Sequence, residues 1–308
     1  MSYVSNKLSL IAAAGAAVGA ASVANAESIY LLEDVGISQQ LSVIDSATPG
    51  TVTGRVSITG LGSGEELLGI DIRPATGELY GLSSGDALYT IDASTGAATK
   101  VGAGFTDQPG GTFFGFDFNP VIDKIRIVSS TDANFVADPD SGDANVASTS
   151  PLFFVSGDAN EGANPNIVGS AYTNSFDGAT STQLYGIGSG LDILVTQNNN
   201  TGELTTVGSL GIDIVDIAEL DISGTTGIAY LAAIENGTTG STLYAVDLAT
   251  GELTTLGQID AAGNGLTIAG IAVGSLGGPA AVPTPAALPA GLALLGFIAN
   301  RRSRRAQA

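Results

Sequence analysis

Three aspartates recur at one position of a repeated pentapeptide. Asp71 lies in Leu68-Gly-Ile-Asp-Ile72, Asp117 in Phe114-Gly-Phe-Asp-Phe118 and Asp221 in Ala218-Glu-Leu-Asp-Ile222. Two further copies, Val168-Gly-Ser-Ala-Tyr172 and Ala269-Gly-Ile-Ala-Val273, carry Ala171 and Ala272 at that place. Carboxylates converging from equivalent strands can ligate a hard cation such as calcium through oxygen. Two of them can also serve glycoside cleavage, one as acid and one as base or nucleophile. Alternatively, each accepts a hydrogen bond from the backbone of a neighbouring repeat. All three readings are open from sequence, with Asp71, Asp117 and Asp221 as the candidate metal ligands.

Other chemistry is narrower. The chain has no His, Cys or Trp. It therefore lacks the commonest general base, any thiol nucleophile or disulfide, and the indole platforms on which sugars stack. Glycine-rich stretches have no Lys and no following helix, so no phosphate loop is indicated. Asp138-Pro-Asp-Ser-Gly-Asp143 has the look of a calcium loop, but it lacks the full D-x-D-x-D-G order and a bidentate Glu at the twelfth place. The connection Thr149–Asn166 holds Phe153 and Phe154 beside an acidic, amide-rich run. This pair either forms a ligand lip or packs beneath the fold. No catalytic or cofactor-binding residue is assigned.

These residues must be positioned by a repeat. A turn recurs at Asp45–Gly50, Asp92–Gly96, Asp138–Gly142, Asn198–Gly202 and Asp247–Gly251, with starts 47, 46, 60 and 49 residues apart. The leading Asp or Asn can bond the backbone two residues on, and the Gly supplies positive φ. Alternating residues follow, as in Glu203-Leu-Thr-Thr-Val207, which makes each turn the hairpin between a third and a fourth strand. The pentapeptides are first strands. Second strands fall at Glu78–Leu82, Lys124–Val128, Gln183–Ile187 and Ile228–Ala232. Tyr30, Tyr80, Tyr89, Tyr185, Tyr230 and Tyr244 follow the same period and read as packing between units.

Four-stranded units of this length are the signature of propeller blades. The amino-terminal body supplies three strands, near Ile29–Leu32, Leu41–Ile44 and Thr53–Ile58, and Ala269–Val273 stands alone at the other end. Together they complete one blade. The expected fold is all-β, a five-bladed β-propeller whose first blade is closed by the C-terminal strand. Another all-β solenoid or sandwich is the rival architecture.

The two ends read as addresses. Lys7, the apolar stretch Leu8–Val23 and Ala24-Asn25-Ala26 have the layout of a secretory signal, with cleavage expected before Glu27. At the other end, Val282-Pro283-Thr284-Pro285 precedes 14 apolar residues (286–299) and Arg301, Arg302, Arg304 and Arg305. That apolar run is shorter than the ~17–25 residues usual for a membrane span. The division expected is 1–26 signal peptide, 27–274 propeller, 275–285 linker and motif, 286–308 apolar segment and Arg-rich tail. The body carries five basic and thirty acidic residues, a net charge of −25. Such a field repels nucleic acid and anionic lipid.

Two resemblances rest on these residues. Val282, Pro283, Pro285 and Ala286, with the short apolar segment and arginines after them, resemble the PEP-CTERM sorting signals, in the variant with a Val-Pro-x-Pro-Ala motif. Thr284 stands where Leu or Glu is commoner. That resemblance implies an exosortase-type sorting enzyme as partner, beside signal peptidase. Read instead as a plain anchor, the tail still places the domain outside the cytoplasmic membrane, with membrane contact only through the terminal segments. Leu68–Gly77, Gly115–Pro120 with Asp123–Ser129, and Asn164–Asn174 continuing to Asp192 resemble the bacterial domain of unknown function 4394, over residues 29–274. That resemblance implies a secreted or surface β-repeat protein and supplies no catalytic residue. The leading expectation is an exported, non-enzymatic propeller of the envelope or extracellular matrix that meets a polysaccharide or surface protein. A calcium-dependent binding module and a glycosidase-like hydrolase using the inner carboxylates are the alternatives.

Overall fold

The computed structural model describes residues 26–34, 38–144, 149–199, 201–260, 263 and 265–277. Ala24 and the whole stretch Val282–Arg305 therefore lie outside the described residues. The described chain forms twenty strands in five small sheets. Its inner strands are β4 (Leu67–Ile72), β8 (Phe114–Asn119), β12 (Ile167–Tyr172), β16 (Ile214–Ile222) and β20 (Thr267–Val273). Each packs against the next, and β20 returns to β4, so the five sheets close a ring. The molecule is a five-bladed β-propeller.

The first blade is assembled from both ends of the body. Strand β1 (Ser28–Asp34) lies between β20 and β2 (Gln39–Asp45), and β3 (Val52–Ser57) forms the outer edge. The pairing Tyr30↔Ala272 on one side and Tyr30↔Val43 on the other fixes the register. Completing a sheet from both termini removes the open edge that a linear array of blades would leave.

The core is divided among the five seams between blades. Leu32, Leu41, Ile70 and Tyr89 fill the seam between the first two blades, and Tyr80, Phe116, Phe118 and Ile127 fill the next. Val128, Leu152, Phe154 and Ile193 fill the third, Val168, Ile187, Leu220 and Tyr244 the fourth, and Ile29, Tyr230, Leu243 and Ile271 the closing seam. Tyr80, Tyr89, Tyr230 and Tyr244 are buried as packing residues, with Tyr30 and Tyr185 half-buried against the same seams.

The recurring turn behaves as its residues dictate. Asp45, Asp92, Asp138 and Asp247 each accept, through Oδ1, the amide two residues on at 2.8–2.9 Å. Asp138 thus caps a turn, and its other oxygen meets Lys124 at 3.3 Å. The glycine does more than permit positive φ. A Cβ on Gly96 (φ +74°) would collide with the Ser57 carbonyl of the preceding blade, and one on Gly142 (φ +74°) with that of Val101. The turn docks there on its neighbour.

Three strands of the third blade are described, and residues 145–148, where a fourth would follow the turn, lie outside the described residues. Only β8, β9 (Lys124–Ser129) and β10 (Asn134–Ala137) pair among its described residues. Beyond the turn, Thr149 Oγ1 donates to the Asn134 carbonyl and Asn134 Nδ2 donates to Ser150 O at 2.9 Å. The chain then crosses to the fourth blade, where β11 (Phe153–Phe154) pairs parallel with the outer strand β15 (Glu203–Ser209). Phe154 is buried in the seam and Phe153 is exposed.

Candidate functional site at the propeller axis

The structure brings Asp71, Asp117 and Asp221 together. Strand pairing places them one per inner strand, near the C-terminal ends of β4, β8 and β16. One oxygen from each lies within 4.8 Å of the others, and all three residues are at most 3% exposed.

Their hydrogen bonds explain the pattern of Asp and Ala. The inner edge of each inner strand turns an amide toward the axis, where no further strand can accept it, and an orphan buried N–H is costly. Asp71 Oδ2 accepts Phe118 N of the next blade at 2.8 Å. Asp117 Oδ1 accepts Tyr172 N at 3.0 Å, and Asp221 Oδ2 accepts Val273 N at 2.5 Å. The equivalent amides of Ile72 and Ile222 follow, around the ring, the two blades with alanine. Their own aspartates serve them, with Asp71 Oδ1 and Asp221 Oδ1 each at 2.6 Å. Three carboxyls thus satisfy five amides, and Ala171 and Ala272 leave none unpaired. Asp117 Oδ2 takes no hydrogen bond among the described residues.

Among the described residues, no basic side chain pairs with this cluster. Burial, then the charge of Asp221, pushes the Asp71 carboxyl well above the usual range. Burial, then Asp71 and Asp221, does the same to Asp117. Burial raises Asp221 to about 7, opposed by its two backbone hydrogen bonds and assisted by the charge of Glu27. These shifts favour the protonated forms, and a protonated carboxyl keeps an oxygen that accepts a backbone amide.

Sequence reasoning passed over Glu219, two residues before Asp221. Its counterparts on the other inner strands are Gly69, Gly115, Gly169 and Gly270. A Cβ on Gly115 would lie 2.5 Å from Ser170 Oγ, and one on Gly169 2.6 Å from Ala218 O. Close approach of inner strands demands glycine there. The seam beyond β16 alone admits a side chain, and burial pushes Glu219 well above the usual carboxylate range. The signal was present in the aligned pentapeptides, as one Glu among four Gly.

Two arginines counted only as charge also prove structural. Arg73 is 7% exposed and bonds Asp123 and Asp140 across the second seam. Arg126 is 3% exposed and donates to Asn134 Oδ1 and to Asn199 O, each at 2.6 Å, the latter in the fourth blade. Phe153 and Phe154 do not join the axial cluster. The connection that carries them is tied down by Asp158, which accepts Thr206 N at 2.8 Å.

Comparison with known proteins follows this geometry. No curated protein sequence matches the chain. Among solved structures, TolB from Acinetobacter baumannii is similar at 14% identity and a TM-score of 0.43, over 76% of this chain and 54% of that one. The chain spans about half the length of that protein. A family model matches residues 40–272, from the second strand to the last. With well over half of its length matched, the chain belongs to the family described as Domain of unknown function (DUF4394).

Proposed function

We propose that this is an exported, non-enzymatic propeller that acts as an interaction module of the envelope or extracellular matrix. One observation carries the non-enzymatic reading: Asp71, Asp117 and Asp221 are built into the frame as acceptors for inner-edge amides. The export reading rests on the secretory layout ending at Ala26 and on the Val282–Arg305 tail, with signal peptidase and an exosortase-type enzyme as processing partners. Contact with a polysaccharide or surface protein is left to the blade seams. Open depressions of 340 Å³ beside Asp86, Gln108 and Phe114 and of 330 Å³ beside Gln39, Leu61 and Glu66 lie where interblade connections emerge. Fractionation of producing cells, with assays on a glycoside and ester panel, tests this reading. Envelope or extracellular recovery without hydrolysis supports it; cytoplasmic retention, or hydrolysis lost in Asp117→Asn, refutes it.

A second reading, a calcium-dependent binding module, is favoured by the convergence of the carboxyl oxygens to 4.8 Å with Asp117 Oδ2 uncommitted. It requires the cluster to ionise, and a chelator must then lower the melting temperature. A melt unmoved by chelator removes it.

A further inference from the structure

In the finished ring the chain on the carboxyl-terminal side of the Ala26–Glu27 bond is tied into the first blade. Glu27 is held from every side that it offers. Its amide donates to Ser46 Oγ at 3.0 Å, and its carbonyl accepts Ser46 N at 2.9 Å. Its carboxylate crosses the closing seam to take Ser223 Oγ at 2.5 Å, Thr226 Oγ1 at 2.8 Å and Tyr230 OH at 3.0 Å, all in the fifth blade. From Ser28 onward the chain is a strand paired on both edges. Proteases take their substrates as extended chain with free backbone edges, so locally ordered segments are cut through their opened state.

We propose that the exported chain is cut before Glu27 while the first blade is still open, and that the freed Glu27 then latches the first blade to the fifth. This rests on the export reading above. Water is the co-reactant: the Ala26–Glu27 C–N bond breaks, hydroxide adds to the Ala26 carbonyl carbon, and the proton goes to the Glu27 nitrogen. The first blade needs β20, so it cannot form until the chain as far as Val273 has arrived. Translocation of an unfolded chain provides that interval.

The test uses the full chain in detergent micelles with purified signal peptidase, presented either freshly diluted from denaturant or after refolding, with amino-terminal sequencing of the product. Cleavage before Glu27 in the unfolded chain, at least about tenfold slower in the refolded chain, is expected. The double variant Ser223→Ala, Thr226→Ala, refolded to the same circular dichroism, is expected to regain part of the lost rate. Equal rates for folded and unfolded wild-type chain overturn the latch and leave export standing. Failure of the unfolded chain to be cut overturns the export reading and the inference with it.

Discussion

Replacing Asp117 by Asn separates a proton-holding latch from an ion site. Asn retains an oxygen for Tyr172 N, the bond that Asp117 Oδ1 makes at 3.0 Å, and it removes the ionisable group from a position 1% exposed. In the folded wild type the carboxyl is raised by burial and by its two acidic neighbours. In the unfolded chain it titrates near 3.9. A group with a raised folded value contributes fully below the unfolded value, and that contribution is lost as pH climbs toward the folded one. Each pH unit over which the folded carboxyl keeps a proton that the unfolded chain has released costs about 1.4 kcal/mol. Sharing of protons with Asp71 and Asp221 lowers the realised gain to about 1–2 kcal/mol, or roughly 3–6 °C in melting temperature for a domain of this size. Asp117→Asn should therefore melt higher than wild type at pH 8 and at the same temperature near pH 4. Asp117→Ala leaves the Tyr172 amide unpaired and should lose about 1–3 kcal/mol at pH 4. Thermal melts of the three proteins across pH 4–8 provide the assay. An Asn variant less stable than wild type at pH 8 would refute the reasoning, because a site that needs the charge loses its ligand.

Further outcomes follow from the same frame. Ser170 Oγ is buried without a partner, so Ser170→Ala should be neutral or stabilising by up to about 1 kcal/mol in denaturant melts. Arg126→Met strands the Asn199 carbonyl, while Asn134 Oδ1 keeps Gln197 Nε2 at 3.0 Å, and should cost about 1–3 kcal/mol by the same measurement. Gly96→Ala meets both a positive φ and the Ser57 carbonyl, and a loss of about 2–3 kcal/mol is expected; a neutral result would mean that the turn does not dock on the preceding blade.

The propeller was legible because its signals are local and repeated. The Asp-to-Gly turns, the period-two strands and the unmatched Ala269–Val273 strand imply both blade number and closure. The gathering of Asp71, Asp117 and Asp221 was legible too, since equivalent positions on equivalent strands must meet at an axis. Backbone bonding to a neighbouring blade was one of three readings of their role, and the sequence could not choose among them, because the amides of Phe118, Tyr172 and Val273 belong to other blades and leave no mark in the side-chain sequence. The same holds for Arg73 and Arg126, whose partners across the seams lie 50–73 residues away in the chain.

The account stands most directly on one calorimetric titration of calcium into the purified protein at pH 7, with chelator melts alongside. It predicts no saturable heat and an unchanged melting temperature, as expected of carboxyls that hold protons and backbone amides. Saturable binding that raises the melting temperature and vanishes in Asp117→Asn would contradict it and make the axis an ion site.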